Sequence, residues 1–156
     1  MFSDISQKLI TFFQADENLQ GLIKTVSYGT PEMIPTTSQP ALLLNCLGME
    51  KTPIGGTQLN LKLDFRLYGL TSEMSDNYTA TTKAQNLLWL YDDQTEEDLG
   101  LMPCLLSKRN SVMLTDKFNR PWVLVDISAP RFYAENTGKN YLGAVEIDFT
   151  IQTLLS

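Results

Sequence analysis

The sequence predicts an α+β domain in which two amphipathic helices pack on one face of an antiparallel β-sheet, with long loops between the elements. The main evidence is two long runs of alternating apolar and polar residues, Gln58 to Tyr68 and Gly143 to Leu154. Successive side chains of a strand point to opposite faces, so each run places its apolar residues on one face only. Two further stretches carry apolar residues at helical spacing.

The two alternating runs predict the central strands. In the first run the polar face carries Lys62, Asp64 and Arg66, and the other face carries only apolar residues. The second run has the same pattern, which is broken only by Leu154 on its polar side. We expect the two strands to be neighbours, with the apolar face on the core and the polar face in water or against a partner.

The helices are predicted over about Asp4 to Gln14 and about Asp76 to Tyr91. The second helix ends in a turn, residues 87–91, that is apolar all round, so we expect it to be buried on more than one side. Shorter strands are predicted at Leu22–Tyr28, Ala41–Leu47, Ser111–Leu114, Trp122–Ile127 and Arg131–Tyr133. The connecting segments are predicted at Gly29–Pro40, Gly48–Thr57, Gly69–Ser75, Asp92–Gly100 (an acidic loop or a stub of helix) and Ala134–Asn140.

Composition excludes several classes of function. The 156 residues fit one domain, 1–156, and carry a net charge of −6 with no histidine. The acidic balance argues against binding to a nucleic-acid backbone or to an anionic membrane. The lack of histidine removes the commonest general base and the commonest transition-metal ligand. Neither a signal peptide nor a membrane span of ~20 apolar residues is expected. We therefore expect a non-enzymatic protein of the cytoplasm, without cofactor or metal.

Three candidate chemistries have simpler explanations. The cysteines, Cys46 and Cys104, lie in apolar contexts that predict inert buried thiols, although a disulfide between them stays open. A carboxylate pair for glycosidase-type chemistry could be drawn from Asp64, Glu146 and Asp148, but nothing places two of them at the needed separation. The acidic cluster at 92–98 lacks the ligand pattern of a calcium loop.

The candidate functional residues are therefore interface residues. Trp89 and Leu90 lie off the main apolar stripe of the second helix. Trp122 and Leu124 are apolar residues on one face of a strand whose other face is also apolar. Two explanations stay open, a second buried face in a thicker core or a subunit interface. The mixed charges Lys62, Asp64 and Arg66 and the loop residues Pro53, Gly55 and Gly56 complete the candidate contact surface.

The order of elements resembles that of the tail terminator (tail completion) proteins of long-tailed bacteriophages. An N-terminal helix and a proline-bearing loop precede a strand that begins at Pro40, and the long strand Gln58–Tyr68 leads into a helix with Leu87 and Leu88. The chain closes on the alternating strand Gly143–Ile151. The segment 92–110 and the hairpin around Asp116–Trp122 are additions to the simplest form of this order of elements.

The resemblance implies a structural virion protein of the tail, near the neck, that is assembled in the host cytoplasm. Its subunits would form a hexameric ring that caps the tail tube, stops its polymerisation and offers a docking surface to the head connector or stopper. DNA would pass through the ring without specific binding, and no cofactor is implied. Two alternatives stay open. One is another head–tail joining or neck protein, and the other is a small-molecule binding module or enzyme that uses the sheet as a cup.

Overall fold

A computed structural model describes residues 2–19, 21–29, 39–73, 76–136, 138 and 140–155. Within these residues the chain forms three helices and nine strands. The helices are α1 (Phe2–Ala15), α2 (Asn77–Leu88) and α3 (Leu101–Lys108). The strands are β1 (Thr25–Tyr28), β2 (Ala41–Gly55), β3 (Gln58–Glu73), β4 (Leu90–Asp92), β5 (Glu97–Leu99), β6 (Val112–Thr115), β7 (Pro121–Ile127), β8 (Arg131–Asn136) and β9 (Tyr141–Leu155).

Seven strands form one mostly antiparallel sheet. Its order is β1-β2-β3-β9-β7-β6, and β8 also pairs with β9. Only β1 runs parallel to its neighbour β2. The two alternating runs pair as β3 and β9 without a register shift, from Leu59 opposite Leu155 to Glu73 opposite Tyr141. The prediction that these strands are neighbours is confirmed.

The apolar face of this sheet carries the core. Phe65 of β3 stacks on Phe149 of β9 with ring centroids 5.6 Å apart. Phe13 of α1 meets Phe149 edge-on at 6.1 Å. Buried residues of all three helices join the same cluster, including Leu9 of α1, Leu87 of α2 and Leu105 of α3. The mixed α and β architecture is therefore as predicted, but α3 is a third helix that the sequence analysis did not predict.

The predicted loop Gly48–Thr57 is wrong. β2 continues to Gly55 and turns through Gly56 and Thr57 directly into β3. The sequence lacks alternation here because every residue from 47 to 58 is exposed, so no core selects apolar residues. Pro53 is compatible with a strand because β2 pairs only with β3 at this level, and sheets tolerate proline at an edge. Similarly, β3 extends to Glu73 through most of the predicted connector Gly69–Ser75.

The second helix ends earlier than predicted. Trp89 caps α2 in an extended conformation (φ −155°), and the chain then reverses in the hairpin β4–β5, where a loop or helix stub was predicted. The apolar turn is not buried on more than one side, because Trp89 and Tyr91 are about half exposed. The chain passes so close to the end of α2 that a Cβ on Gly100 would lie 2.6 Å from the Leu88 carbonyl oxygen.

Three further predictions are resolved only partly. Leu22–Tyr28 is a strand from Thr25 onward. Residues 30–38 of the predicted loop Gly29–Pro40 lie outside the described residues, as do 137 and 139 of Ala134–Asn140. Both cysteines are free, so the open disulfide is not formed. Burial raises the pKa of both thiols, which makes them unreactive.

A glycine at the closest approach of helix and sheet gives a stability prediction. A Cβ on Gly143 of β9 would collide with the backbone carbonyl of Ala80 in α2. We expect Gly143→Ala to lower the free energy of unfolding by about 2 kcal/mol or more, since neither backbone can yield cheaply. Urea unfolding followed by circular dichroism measures the change.

Gly48→Ala is the matched control, because a Cβ there meets nothing within 4 Å. It should change the unfolding free energy by less than ~0.5 kcal/mol. Equal losses in the two variants would contradict the packing of α2 on β9.

Candidate interaction surfaces

The polar face of the sheet holds an ion-pair network. Arg66 Nε lies 2.7 Å from Asp148 Oδ1 and 2.9 Å from Glu146 Oε1. Arg131 of β8 contacts the same two carboxylates at 3.3–3.4 Å. The hydrogen bond from Arg66 lowers the pKa of Asp148. Alternation places these side chains on one face, because Arg66 lies opposite Asp148 and Arg131 lies opposite Glu146 in the sheet.

The predicted contact residues on this face already have partners within the chain. Arg66 belongs to the network, and Asp64 Oδ1 accepts a 2.6 Å hydrogen bond from Thr150 Oγ1. Lys62 is half-buried beside them. The sequence analysis did not identify Arg131, although its charge opposite Glu146 in a neighbouring strand was the available signal. A role of Lys62, Asp64 and Arg66 in a partner contact stays a prediction.

One carboxylate considered for glycosidase-type chemistry, Asp148, is unsuited to the role of general acid. Asp64, Asp126 and Asp148 line a shallow cavity of about 280 Å³. A general acid needs a raised pKa, whereas the pKa of Asp148 is lowered by Arg66. No group of three or more potential metal ligands occurs in the part of the chain that the structure describes.

The β2–β3 hairpin carries exposed apolar residues, and we call residues 47–58 the arm. Leu47, Met49 and Ile54 are each about half exposed, and Leu154 on the adjacent end of β9 is 58% exposed. The predicted contact residues Pro53, Gly55 and Gly56 lie at the tip, where both glycines have positive φ angles. The arm therefore exposes single apolar side chains among polar ones such as Glu50 and Lys51, and the described part of the chain leaves them uncovered.

The assignment of Trp122 to a subunit interface is wrong. Its side chain is fully buried, as is that of Leu124, so the alternative of a thicker core is confirmed for these two residues. The indole Nε1 donates to Asp116 Oδ2 at 3.0 Å. Burial alone would raise the pKa of Asp116, but hydrogen bonds from Trp122, from the backbone of Arg120 and Phe118 and from the Arg120 guanidinium lower it to about 2.

Trp89 and Leu90 lead into a groove beside the β4–β5 hairpin. Trp89 is 47% exposed, so the buried alternative does not hold for it, and its role in a contact stays a prediction. The groove has a volume of about 530 Å³ and runs between the turn after α1 and the β4–β5 hairpin. Its lining is Gly21, Leu22, Leu90, Tyr91, Asp92, Asp93, Gln94 and Leu99, and we call it the acidic groove.

The buried carboxylate at the β6–β7 turn gives a second stability prediction. Asp116→Ala leaves the Trp122 indole N–H and the Arg120 guanidinium without their acceptor. We expect a loss of about 3 kcal/mol at pH 7 in urea unfolding. Because the folded-state pKa is lowered, the contribution of Asp116 is present above the ordinary carboxyl pKa. It disappears as the pH falls from about 4 to about 2, so the two proteins should converge there.

Asp126→Ala, which removes an exposed carboxylate, is the control and should change stability little at any of these pH values. A constant difference between Asp116→Ala and the unaltered protein down to pH 2 would contradict the ionised, hydrogen-bonded Asp116.

Comparison with known proteins does not assign a family. The chain matches no protein-family model, and no curated protein sequence gives a significant match. Among the described residues, the helices are too short and too polar to cross a membrane. The resemblance in the order of elements therefore stays a prediction.

Proposed function

We propose that this protein is a structural subunit of a phage tail, a tail terminator that forms a hexameric ring. The ring caps the tail tube, stops its polymerisation and presents a docking surface to the head connector or stopper. The order of elements in the sequence supports this proposal, because it matches the family pattern over nearly the whole chain. The protein acts in the virion by binding other subunits and not by catalysis.

The arm is the observation that carries the proposal. Edge strands with exposed apolar side chains promote association, and stable monomers rarely leave them uncovered. In the arm, Met49 and Ile54 project from an edge strand into solvent. A ring subunit has a reason for this arrangement, since a neighbour or the tail tube covers the arm after assembly.

The charge distribution agrees with the proposed location. On the polar face, Arg66 and Arg131 are paired with Glu146 and Asp148. The net charge of −6 gives a ring a negative field. DNA that passes through such a ring is repelled from its walls and does not bind them.

Electron microscopy of the purified protein mixed with tail tubes tests the function. We expect closed rings, single and seated on tube ends, and tubes that no longer lengthen when tube protein is added. Open-ended tubes made of this protein would favour the alternative, another head–tail joining or tube-like subunit. A protein that stays monomeric both alone and with tubes would overturn the proposal.

The arm provides a matched mutational test. Met49→Ser combined with Ile54→Ser removes two exposed apolar side chains without touching the core. We expect an unchanged unfolding free energy, within ~0.5 kcal/mol, and at least a tenfold loss in ring formation or tube capping, since burial of apolar side chains drives association.

Tyr78→Ser, at an 82% exposed position of α2, serves as the control and should assemble normally. Normal capping by the Met49/Ile54 variant would show that the arm is not the contact surface.

A further inference from the structure

The acidic groove combines an apolar lining with charges of one sign, all of them negative. The residues that line it include Asp92 and Asp93 and no Lys or Arg. The segments that supply this lining, 21–22 and 90–99, contain five acidic residues and no basic residue. Leu22, Leu90 and Leu99 are half-buried in it, and Tyr91 is 55% exposed. The walls are fixed to one another, because the Gly100 backbone N–H donates to the Asn18 carbonyl at 2.8 Å. Such a groove fits an apolar anchor that carries positive charge.

The same chain presents an anchor of this kind at the β6–β7 turn. Phe118 is 60% exposed, and the cations of Lys117 and Arg120 lie 5.3 Å and 4.9 Å from its ring centre. Asp116 accepts hydrogen bonds from the backbone N–H groups of Phe118 and Arg120, which fixes the turn. We call residues 117–120 the basic turn. An exposed aromatic on a rigid turn loses little conformational entropy when it is bound.

The charges next to the basic turn leave it positive. Arg120 pairs with Asp116 at 2.9 Å, so their charges offset each other. Lys8 and Asp4 also lie beside the turn, where Lys8 Nζ donates to the Thr115 carbonyl and Asp4 accepts from the Lys117 backbone N–H. Arg120 with Asp116, and Lys8 with Asp4, each sum to zero charge, so Lys117 leaves this region with one net positive charge.

The groove and the turn cannot meet within one molecule. The basic turn lies beside Asp4 and Lys8, in the N-terminal half of α1. The acidic groove is lined by Gly21 and Leu22, just beyond the C-terminal end of α1. A helix of 14 residues is about 21 Å long, so the two surfaces occupy opposite ends of the subunit.

We infer that the basic turn of one subunit docks in the acidic groove of a second copy of this chain, with Phe118 as the anchor. Because the two surfaces differ, the contact is head-to-tail, the type that generates rings when the rotation closes. This inference rests on the proposed ring function, since it assigns the contact between neighbouring ring subunits. Charge complementarity selects the partner: Lys117 meets Asp93 and its acidic neighbours.

Complementary variants test the contact. The turn variant carries Lys117→Glu and Phe118→Ser, and the groove variant carries Tyr91→Ser and Asp93→Lys; all four positions are exposed. In sedimentation velocity we expect each variant alone to need at least about tenfold more protein than the unaltered chain to associate. In an equimolar mixture the intact turn of the groove variant can bind the intact groove of the turn variant. We therefore expect dimers that do not grow further.

The control variant, Tyr78→Ser with Asp126→Lys, makes similar changes at exposed positions elsewhere and should associate normally. If the unaltered chain forms rings and both test variants form them equally well, the ring stands and this contact is wrong. Variants that dissociate but yield no dimer on mixing also overturn the contact, because they show that the surfaces do not pair with each other.

Cross-linking decides the case in which the unaltered chain does not associate measurably alone. Thr115→Cys, at an exposed position beside the basic turn that leaves Phe118 and Lys117 intact, and Gln94→Cys are prepared in a Cys46→Ser background, mixed and treated with a short bismaleimide. We expect a cross-linked dimer that neither protein gives alone and that 0.5 M salt weakens, as screening requires. Absence of the dimer overturns the contact, whereas the tube-capping experiment separately decides the proposed function.

Discussion

The pairing of β3 with β9 is the interaction on which the rest of the structure depends. It continues without a register shift over 15 residue pairs, and among the described strands it alone joins the β1–β2 side of the sheet to the β7–β6 side. A slip of one strand by one residue would put Phe65 and Phe149 on opposite faces of the sheet. The apolar faces of these two strands therefore fix the core, the register and the places where all three helices can pack.

One consequence is a division of labour between the two faces. The apolar face is covered by helices. The described part of the opposite face has side-chain pairs such as Arg66–Asp148 and Asp64–Thr150, and a small buried cluster of Leu43, Leu70 and Ala144. These contacts join β3 to β9 on the second face. The proposed interaction surfaces lie at the periphery: the arm at one end of β2 and β3, and the acidic groove and basic turn at opposite ends of α1.

Periodicity explains how much of this could be predicted. The strands β3 and β9 and the helix α1 bury one side only, so their patterns are readable in the sequence. The arm was not predictable as a strand, because neither of its faces is buried. Only its backbone hydrogen bonds define it as a strand, and they leave no pattern in the sequence. α3 is short, and the β4–β5 hairpin is stabilised by contacts distant in sequence, such as that of Gly100 with Asn18.

The candidate site was harder to predict than the fold. Whether a tryptophan lies in the core or on a contact surface depends on its neighbours in space. Trp122 is buried and donates a hydrogen bond to Asp116, six residues earlier in the chain. Trp89 is exposed because α2 ends just before it. The acidic cluster lines a groove whose apolar wall comes partly from the turn after α1. No local pattern could bring those segments together.

The central position of β9 also has a consequence for how the protein is made. β9 is the last strand in the sequence, and its contacts with β3 join residues as far apart as Arg66 and Asp148, 82 positions along the chain. During translation one edge of β3 therefore stays unpaired until β9 has left the ribosome. Such late, non-local pairing is slow and exposes strand edges to other nascent chains. The protein is thus most prone to aggregate in the interval between the synthesis of β3 and that of β9.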